Sequence, residues 1–502
     1  MLFKRGISRA ENKTWQAWGL GLGLAAYTLP GWGHSFGTLY TLPVPFWLYA
    51  WGCSAALLLS FFLVAYFARQ PSPAPPPPTL IPSEQDKNHF VLPGSVIFIL
   101  RVLSVGALLL CVASGLWGTS NAYLNFNMTF FWIIFVLGFT YFSALVGDVY
   151  PLLNPWQTLV GGLARCLRID FSGRVSWPQR LAYWPALLLY IGFIWLELFG
   201  ETGPRGLAYC LIGYGLLNVI AAWLFGREAW FKRGEFFGVL FFLVSKMAPI
   251  TICSGEARLP RGAVLFRRPF SGLQGGNAAS MSELLFVLFL LSSTAFDGLH
   301  QTNIWASVYW QDFAGIYRDW RGQNIVQAYP VLKTMHGVFE SGVLFLSPLF
   351  YLAVFYFFLA IVRRLTKFRV PLQTLALQFT YSLLPIALVY HITHYYTLIG
   401  SQGVMVVRLV SDPFGRAWNL FNTAHWRPSS VAPNMDWVWH TQVGLILFGH
   451  VLSVYLAHQE AQSVFPLRRQ ATLSQLPMLV LMILFTCFGL WILAQPVTAT
   501  RL

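Results

Sequence analysis

The chain alternates between long apolar runs and short polar connections. Apolar runs cover residues 44–67, 94–117, 128–147, 180–199, 207–225, 235–250, 279–296, 339–362, 371–400, 437–458 and 474–494. A helix of about 20 residues rising ~1.5 Å each matches the hydrocarbon core of a bilayer, so most of these runs are long enough to cross a membrane. The pattern predicts an all-α, polytopic integral membrane helix bundle with about 10–12 transmembrane helices.

Basic residues constrain how these runs cross the membrane. The clusters Arg363–Arg369 and Arg468/Arg469 flank the runs 371–400 and 437–458. The positive-inside rule places both clusters, and also the basic loop 251–278, in the cytoplasm. The same count leaves the clusters that begin at Arg165 and Arg227 outside, against the rule. Either a broken or re-entrant segment, with 235–250 as the first candidate, or short amphipathic helices outside would account for this conflict.

Proline content divides the chain near its start. Residues 1–68 hold a basic N-terminal segment and the first clear span, and the absence of a convincing cleavage site favours a retained segment over a signal peptide. Residues 69–93 form a proline-rich linker that includes Pro71–Pro78 and is expected to be stiff. Residues 94–502 are the main transmembrane helical bundle.

Composition agrees with a membrane protein. Hydrophobic residues make up 56% of the 502 residues and charged residues only 10%, against roughly 25% charged in soluble domains. The net charge is +15, but the basic residues are scattered among loops, where they set topology and contact anionic lipid. The expected partner is therefore the lipid bilayer and not nucleic acid, with a partner membrane subunit left open.

Histidines are concentrated in two neighbouring runs near the end of the chain. Five of the ten lie there: His391, His394, His440, His450 and His458. An ionisable side chain at membrane depth is costly, so it usually faces the bundle interior or a water-filled cavity. His391 and His394 project from one side of a helix and could bind one metal ion together. His450 and His458 are about 12 Å apart along a helix, so at most one of them can join that site.

Two aspartates and two further histidines, His300 and His34, extend this candidate site. Asp148 lies beside a backbone broken by Pro151 and Pro155, a common setting for an ion or substrate site, although it could instead cap a helix. Asp297 ends another span three residues before His300. The predicted catalytic residues are Asp148 and Asp297, and the predicted ligands of a divalent metal ion are His394, His391, His450 and His34.

Common catalytic motifs are missing from the sequence. It contains no G-x-S-x-G elbow, P-loop, dinucleotide fingerprint or H-E-x-x-H helix. Serine hydrolase, ATPase and zinc peptidase functions of these types therefore lose their usual support. A metal held by His and Asp is the catalytic chemistry that the residues best allow.

Several stretches resemble a family of bacterial and archaeal polytopic membrane proteins identified as fenitrothion hydrolases. The matching segments are H-S-F-G...L-P-V-P-F-W-L-Y from His34, G-D-V-Y-P-L-L-N-P-W from Gly147, F-D-G-L from Phe296, H-Y-Y from His394 and G-H-V-L-S-V-Y-L-A-H from Gly449. The resemblance implies a hydrolase of organophosphate triesters in the cytoplasmic membrane, with a divalent metal. His300 and His391 match the family pattern less well than His394, His450 and His458, and the resemblance brings no catalytic assignment of single residues.

A hydrolase would use a metal-bound water of lowered pKa, with Asp148 or Asp297 accepting its proton, at a site toward the outer face. The alternatives are a transporter or ion permease, and a structural subunit of a membrane complex. A hydrolase needs polar residues that converge near one face. A carrier needs a polar path that continues past His450 and His458 to the other side.

Overall fold

The computed structural model describes residues 44–67, 90–252, 262–322, 324–368, 370–426 and 434–495. Within these ranges, ten helices are long and apolar enough to cross a membrane. The predicted all-α polytopic membrane bundle is confirmed, and the chain is an integral multi-pass membrane protein. Large apolar side chains such as Trp51 and Phe98 are exposed on its surface, as expected for contact with lipid.

The helices follow one another with short connections. They are α1 Phe46–Phe67, α2 Gly94–Trp117, α3 Phe126–Val146, α4 Tyr150–Leu153, α5 Pro155–Leu167, α6 Trp184–Phe199, α7 Pro204–Phe225, α8 Arg227–Arg233, α9 Phe236–Ser245, α10 Met281–His300, α11 Asn303–Ser307, α12 Ala314–Arg321, α13 Ile325–Thr366, α14 Leu372–Phe379, α15 Leu384–Ser401, α16 Val406–Ser411, α17 Met435–Val464 and α18 Arg468–Ala494. Residues Thr129–Gly138, inside α3, and Val308–Phe313 are π-helical. Short 3-10 helices lie at Gln179–Leu181, Ser271–Leu273, Thr380–Leu383 and Gly403–Met405.

A small antiparallel sheet lies at one end of the bundle. Its strands are β1 Phe90–Val91, β2 Ile250–Ile252 and β3 Ala263–Phe266, in the order β1-β3-β2. Phe90 pairs with Val264, and Ile250 pairs with Phe266. The sheet joins the start of α2 to the loop before α10, and β1 includes the last part of the predicted linker. Residues 1–43 and 68–89 lie outside the described ranges.

Helix α10 is the most buried element of the bundle. Every residue from Ser282 to Asp297 is buried, and the Ser280 side chain caps the helix by accepting from the backbone N–H of Glu283. An all-round apolar helix is stable only where neighbours cover every face, and α6, α13, α15 and α18 pack around this one. Glu283 and Asp297 are 14 residues apart, which places them about 21 Å apart along the axis.

We name the two ends of the bundle after the two ends of α10. The end with Glu283 also carries Lys246 and Arg267, and we call it the basic end; the end with Asp297 is the distal end. The Lys246 ammonium lies 4.5 Å from the centre of the Tyr381 ring, and the Tyr381 hydroxyl donates to Glu283 at 2.7 Å. These contacts tie Lys246 to the first turn of α10.

One segment enters the bundle from the basic end and returns to it without crossing. It begins at Gly147, whose φ of +125° suits glycine and whose Cα approaches the carbonyl oxygen of Ile250. The chain continues through α4 to Asn154, which caps α5 by accepting from the backbone of Gln157. Helix α5 then leads back, so that the Phe171 carbonyl accepts from the backbone N–H of Arg227, the first residue of α8.

A second re-entrant pair is formed by α8 and α9. Glu235, between them, accepts hydrogen bonds from Asn154 and from the Tyr214 hydroxyl. Tyr214 lies ten residues after Pro204, where α7 begins, or about 15 Å into the bundle. Helix α9 therefore starts near the middle of the bundle and ends at Lys246, on the basic end.

These two re-entrant segments account for the topology conflict in the first half of the chain. Arg174 bonds through its backbone N–H to the carbonyl of Leu224, beside Arg227, so both basic clusters lie at the basic end with Lys246 and Arg267. The apolar run 235–250 is re-entrant, as one alternative allowed. The residues around Asp148 and α5 form a further re-entrant segment that the sequence pattern did not identify.

Candidate functional site

A buried polar cluster lies at the distal end of α10. Asp297 is only 2% exposed. Its Oδ2 contacts His394 Nε2 at 2.9 Å and accepts from the Tyr395 hydroxyl at 2.7 Å, while its Oδ1 accepts from Gln301 Nε2 at 3.0 Å. A carboxylate accepts, so Nε2 carries the proton of His394 and Nδ1 is the acceptor nitrogen of the neutral ring.

The helix sequences bring these groups together. Asp297 and Gln301 are four residues apart, so they lie one turn apart at the end of α10. His394 and Tyr395 are neighbours on α15, which packs against α10. Gly298 permits the close approach, since a Cβ there would lie 3.5 Å from His394 Cε1 and 2.5 Å from Ile492 Cγ2. In the F-D-G-L motif, Asp297 therefore supplies the buried carboxylate, and the adjacent Gly298 has no side chain that would crowd His394.

His391 faces a different neighbour from His394. Its Nδ1 lies 3.1 Å from the Tyr141 hydroxyl of α3, and its ring packs against Tyr395 with 4.8 Å between ring centres. Glu197 of α6 interacts electrostatically with both Tyr141 and Tyr395. The cluster therefore extends over four helices, with Tyr395 at its centre.

His300 lies at the edge of the cluster. Its Nδ1 is 3.2 Å from the Phe296 carbonyl oxygen and 3.8 Å from Asp297 Oδ1, and its ring stacks on Phe296. The distance of 3.8 Å between His300 Nδ1 and Asp297 Oδ1 is long for a hydrogen bond. The Asp297-x-x-His300 pair therefore lies close together, while the shorter contacts of Asp297 are those with His394 and Tyr395.

The histidines of α17 lie apart from this cluster. His450 is buried deeper in the bundle, and its Nδ1 is 2.8 Å from the Ile446 carbonyl oxygen. The adjacent Gly449 packs against Val389 and the Pro385 carbonyl, so His450 lies level with a part of α15 that precedes His394.

The other two histidines of α17 also contact residues outside the cluster around Asp297. His458 is at the basic end, between Gln475 Oε1 at 2.6 Å and Gln462 Nε2 at 2.7 Å. His440 is exposed at the start of the helix, with Nδ1 2.6 Å from the Asp436 carbonyl oxygen. Neither residue contributes to the distal cluster.

The described side chains do not assemble the predicted metal site. Over the described ranges, no group of three or more His, Cys, Asp and Glu residues is placed to hold a metal ion. His394 contacts Asp297, His391 contacts Tyr141, and His450 bonds within its own helix. His34 lies outside the described residues, so its role as a ligand stays a prediction, as does the divalent metal itself.

Asp148 lies at the basic end and not beside Asp297. One carboxylate oxygen, Oδ1, is buried without a hydrogen-bond partner among the described residues. Burial raises the pKa of the Asp148 carboxyl to about 7, against the opposing effect of the nearby cations Lys246 and Arg267. Because Lys246 is tied to the first turn of α10, Asp148 and Asp297 are on opposite sides of the bundle. They cannot act on the same substrate atom.

The G-D-V-Y-P-L-L-N-P-W motif has a visible structural role. Asn154 caps α5 and donates to Glu235, which caps α9 through the backbone N–H groups of Phe237 and Gly238. Arg101 Nε of α2 donates to the Leu152 carbonyl at 2.9 Å. The motif therefore joins both re-entrant segments to the bundle.

Comparison with known proteins adds no identity. No protein-family model, no curated protein and no solved structure matches the chain.

Sequence reasoning found Asp297 and His394 but missed most of the residues around them. Tyr141, Tyr395, Gln301 and Glu197 are not among the predicted site residues. Tyrosine and glutamine near helix ends are common in membrane proteins, so their types carry little signal. The i+4 spacing from Asp297 to Gln301 and the position of Tyr395 beside His394 are the patterns that could have identified two of them.

Proposed function

We propose that the protein is a membrane-embedded hydrolase of organophosphate triesters, in which Asp297 and His394 act together as the general base. The observation that supports this most is the 2.9 Å contact between His394 Nε2 and the buried Asp297 Oδ2. A carboxylate that holds one imidazole nitrogen orients the ring and stabilises the imidazolium that forms when the other nitrogen accepts a proton. The substrate class rests on the resemblance to fenitrothion hydrolases.

The proposed reaction uses the two ring nitrogens for different tasks. Nδ1 of His394 removes a proton from a water molecule, and the water oxygen attacks the phosphorus atom. The bond between phosphorus and the aryloxy oxygen breaks, and the aryloxide leaves. Asp297 keeps its charge beside the imidazolium, while Tyr395 and Gln301 hold the carboxylate in place. Positioned general bases of this kind typically contribute about 10²- to 10⁴-fold to the rate.

The distal cluster is proposed to face the outside of the cell. The clusters around Arg165, Arg227, Lys246 and Arg363 lie at the basic end, which the positive-inside rule assigns to the cytoplasm. Between the two ends, α10 presents an uninterrupted run of buried apolar residues from Leu284 to Leu291. This supports a site that is open toward one face only.

The experiment compares variants of the full chain in lipid nanodiscs. Turnover of a dialkyl nitrophenyl phosphate is measured for the wild type, Asp297→Asn and His394→Gln, and we expect both variants to lose about 10²- to 10⁴-fold in kcat. His440→Gln is the matched control, since His440 is exposed at the distal end and bonds to its own helix. Circular dichroism verifies that each variant is folded. Full turnover in both variants, or none in the wild type, would contradict the proposal.

A carrier is the second candidate, and the re-entrant segments favour it. Helices α5 and α9 both begin near Glu235 in the middle of the bundle, and half-helices that meet at the midplane are typical of transporter binding sites. Against this, the space between the levels of His450 and His458 is lined mainly by apolar residues, among them Phe61, Val454 and Met482.

His458→Gln distinguishes the two candidates. In proteoliposomes that contain a pH-sensitive dye, a carrier that moves protons would show flux in the wild type and strongly reduced flux in this variant. A hydrolase would keep its turnover of the nitrophenyl ester, since His458 lies at the basic end and bonds to Gln475 and Gln462. Loss of proton flux with unchanged esterase activity would favour the carrier.

A further inference from the structure

A narrow cavity lies in the centre of the bundle, between α10, α13, α15, α17 and α18. Its walls are mostly apolar and aromatic, with Leu291, Tyr351 and Phe485 among them. Three lining residues carry polar side-chain atoms: Tyr351, Tyr390 and His450. His450 and Tyr390 are the most buried of the three, at 2% and 4% exposed. The cavity is separate from the contacts that hold Asp297.

Both polar atoms have unused hydrogen-bonding capacity. His450 Nε2 and the Tyr390 hydroxyl have no hydrogen-bond partner among the described residues. His450 Nδ1 lies 2.8 Å from the Ile446 carbonyl oxygen, which only a protonated Nδ1 can bond. In the neutral ring Nε2 is therefore an acceptor. A buried acceptor in an apolar environment is costly unless something donates to it.

The shape of the cavity limits what can satisfy these atoms. Its free space is of the size that holds one water molecule, and such a water needs two or more polar partners. Gly489, which also lines the cavity, packs against the ring of Tyr390, since a Cβ on Gly489 would lie 3.1 Å from Tyr390 Cε2. A metal ion would find a single nitrogen ligand here, so the site suits a small neutral molecule that can both donate and accept.

We propose that this cavity binds one ordered water molecule, which donates to His450 Nε2 and accepts from the Tyr390 hydroxyl. The site is distinct from the proposed hydrolase centre and does not depend on it. It explains why a histidine whose Nδ1 is already bonded lies in an apolar part of α17.

The test detects water at His450 directly. The full chain, labelled with ¹⁵N-histidine and reconstituted in lipid bilayers, is studied by solid-state NMR with polarisation transferred from water protons. His450→Asn assigns the resonance. We expect a water-derived signal at Nε2 of His450 in the wild type and a severalfold weaker signal in Tyr390→Phe. Tyr396→Phe is the matched control, because the Tyr396 hydroxyl bonds to the Val438 carbonyl oxygen instead, and it should leave the signal unchanged.

Two results would overturn the proposal. The first is the absence of water transfer to His450 in the wild type while exposed His440 shows strong transfer in the same sample. The second is an equal His450 signal in the wild type and in Tyr390→Phe, which would show that the tyrosine hydroxyl does not hold the water. The His394 resonance, unshifted in Tyr390→Phe, verifies that this variant keeps the fold of α15.

Discussion

The two ends of α10 both bury a carboxylate, but the two carboxylates have different partners. Glu283 at the basic end accepts from a backbone N–H, that of Ala279, and from the Tyr381 hydroxyl. Asp297 at the distal end accepts from the side chains of Gln301, Tyr395 and His394. A carboxylate bonded to backbone N–H groups stabilises a helix start, whereas one bonded to a titratable ring can take part in proton transfer. Burial alone therefore does not identify a reactive group.

Two other buried carboxylates, those of Glu235 and Glu460, repeat the pattern of Glu283. Glu235 accepts from the backbone N–H groups of Phe237 and Gly238. Glu460 accepts from the backbone N–H of Gly275 at 2.9 Å and from Gln378 at 2.6 Å. In each case the carboxylate binds a chain turn in place. Its removal should reduce stability, while removal of Asp297 should reduce activity.

Glu235→Ala should give the largest loss of stability and so test this comparison most strongly. It leaves the Tyr214 hydroxyl, Asn154 and two backbone N–H groups without their buried acceptor. The expected loss in the free energy of unfolding is roughly 2–5 kcal/mol, measured as a lower Tm in detergent. Glu228→Ala is the control, since Glu228 is exposed on the adjacent α8. Equal Tm values for the two variants would remove the structural role of Glu235.

The pH dependence of stability tests the buried carboxyl of Asp148 at the basic end. The expected change in stability is smaller than that for Glu235→Ala. Burial raises the pKa of Asp148 from 3.8 to about 7. The folded protein therefore binds more protons than the unfolded chain between about pH 4 and pH 7. Stability should fall as the pH rises through this range and level off above it.

Asp148→Asn should make this dependence shallower, because the variant lacks the carboxyl whose pKa is raised in the folded protein. The measurement is Tm in detergent at several pH values between about 4.5 and 7.5 for both proteins. The wild type should lose more Tm than the variant over this range. Parallel curves would show that the folded-state pKa of Asp148 is not raised.

The apolar runs predicted the bundle well because each spanning helix is specified by its own length and hydropathy. Residues 94–117 were predicted as a span and α2 has the same bounds. Re-entrant segments were harder, since hydropathy reports apolar length and not whether the chain turns back. The turn at Asn154 depends on its contact with Glu235, 81 residues later, and no local pattern encodes that pairing.

For the candidate site, the sequence predicted which ionisable residues lie in the bundle but not which of them contact one another. Ionisable residues in apolar runs are rare enough to be noticed, so Asp297 and His394 were identified. Which of them meet depends on helix rotation and on the direction of each span. Asp148 was joined to the same site because the topology of the first half was open. The structure places it at the other end of the bundle.

The smallest predicted effect is that of Tyr395→Phe, which tests whether the Tyr395 hydroxyl positions the Asp297 carboxylate. Its hydroxyl donates to Asp297 Oδ2 at 2.7 Å, so Tyr395→Phe removes one of the groups that hold the carboxylate while the His394 contact remains. A single hydrogen bond to a charged group contributes about 1.5–3 kcal/mol, which corresponds to roughly 10- to 100-fold in kcat for the nitrophenyl phosphotriester. Tyr396→Phe, at the next position of α15, should have no effect, because its hydroxyl bonds to the Val438 carbonyl oxygen at 3.3 Å. If Tyr395→Phe and Tyr396→Phe have the same kcat, the Asp297 carboxylate is held in place without Tyr395. Its contacts with His394 and Gln301 are then enough to position it.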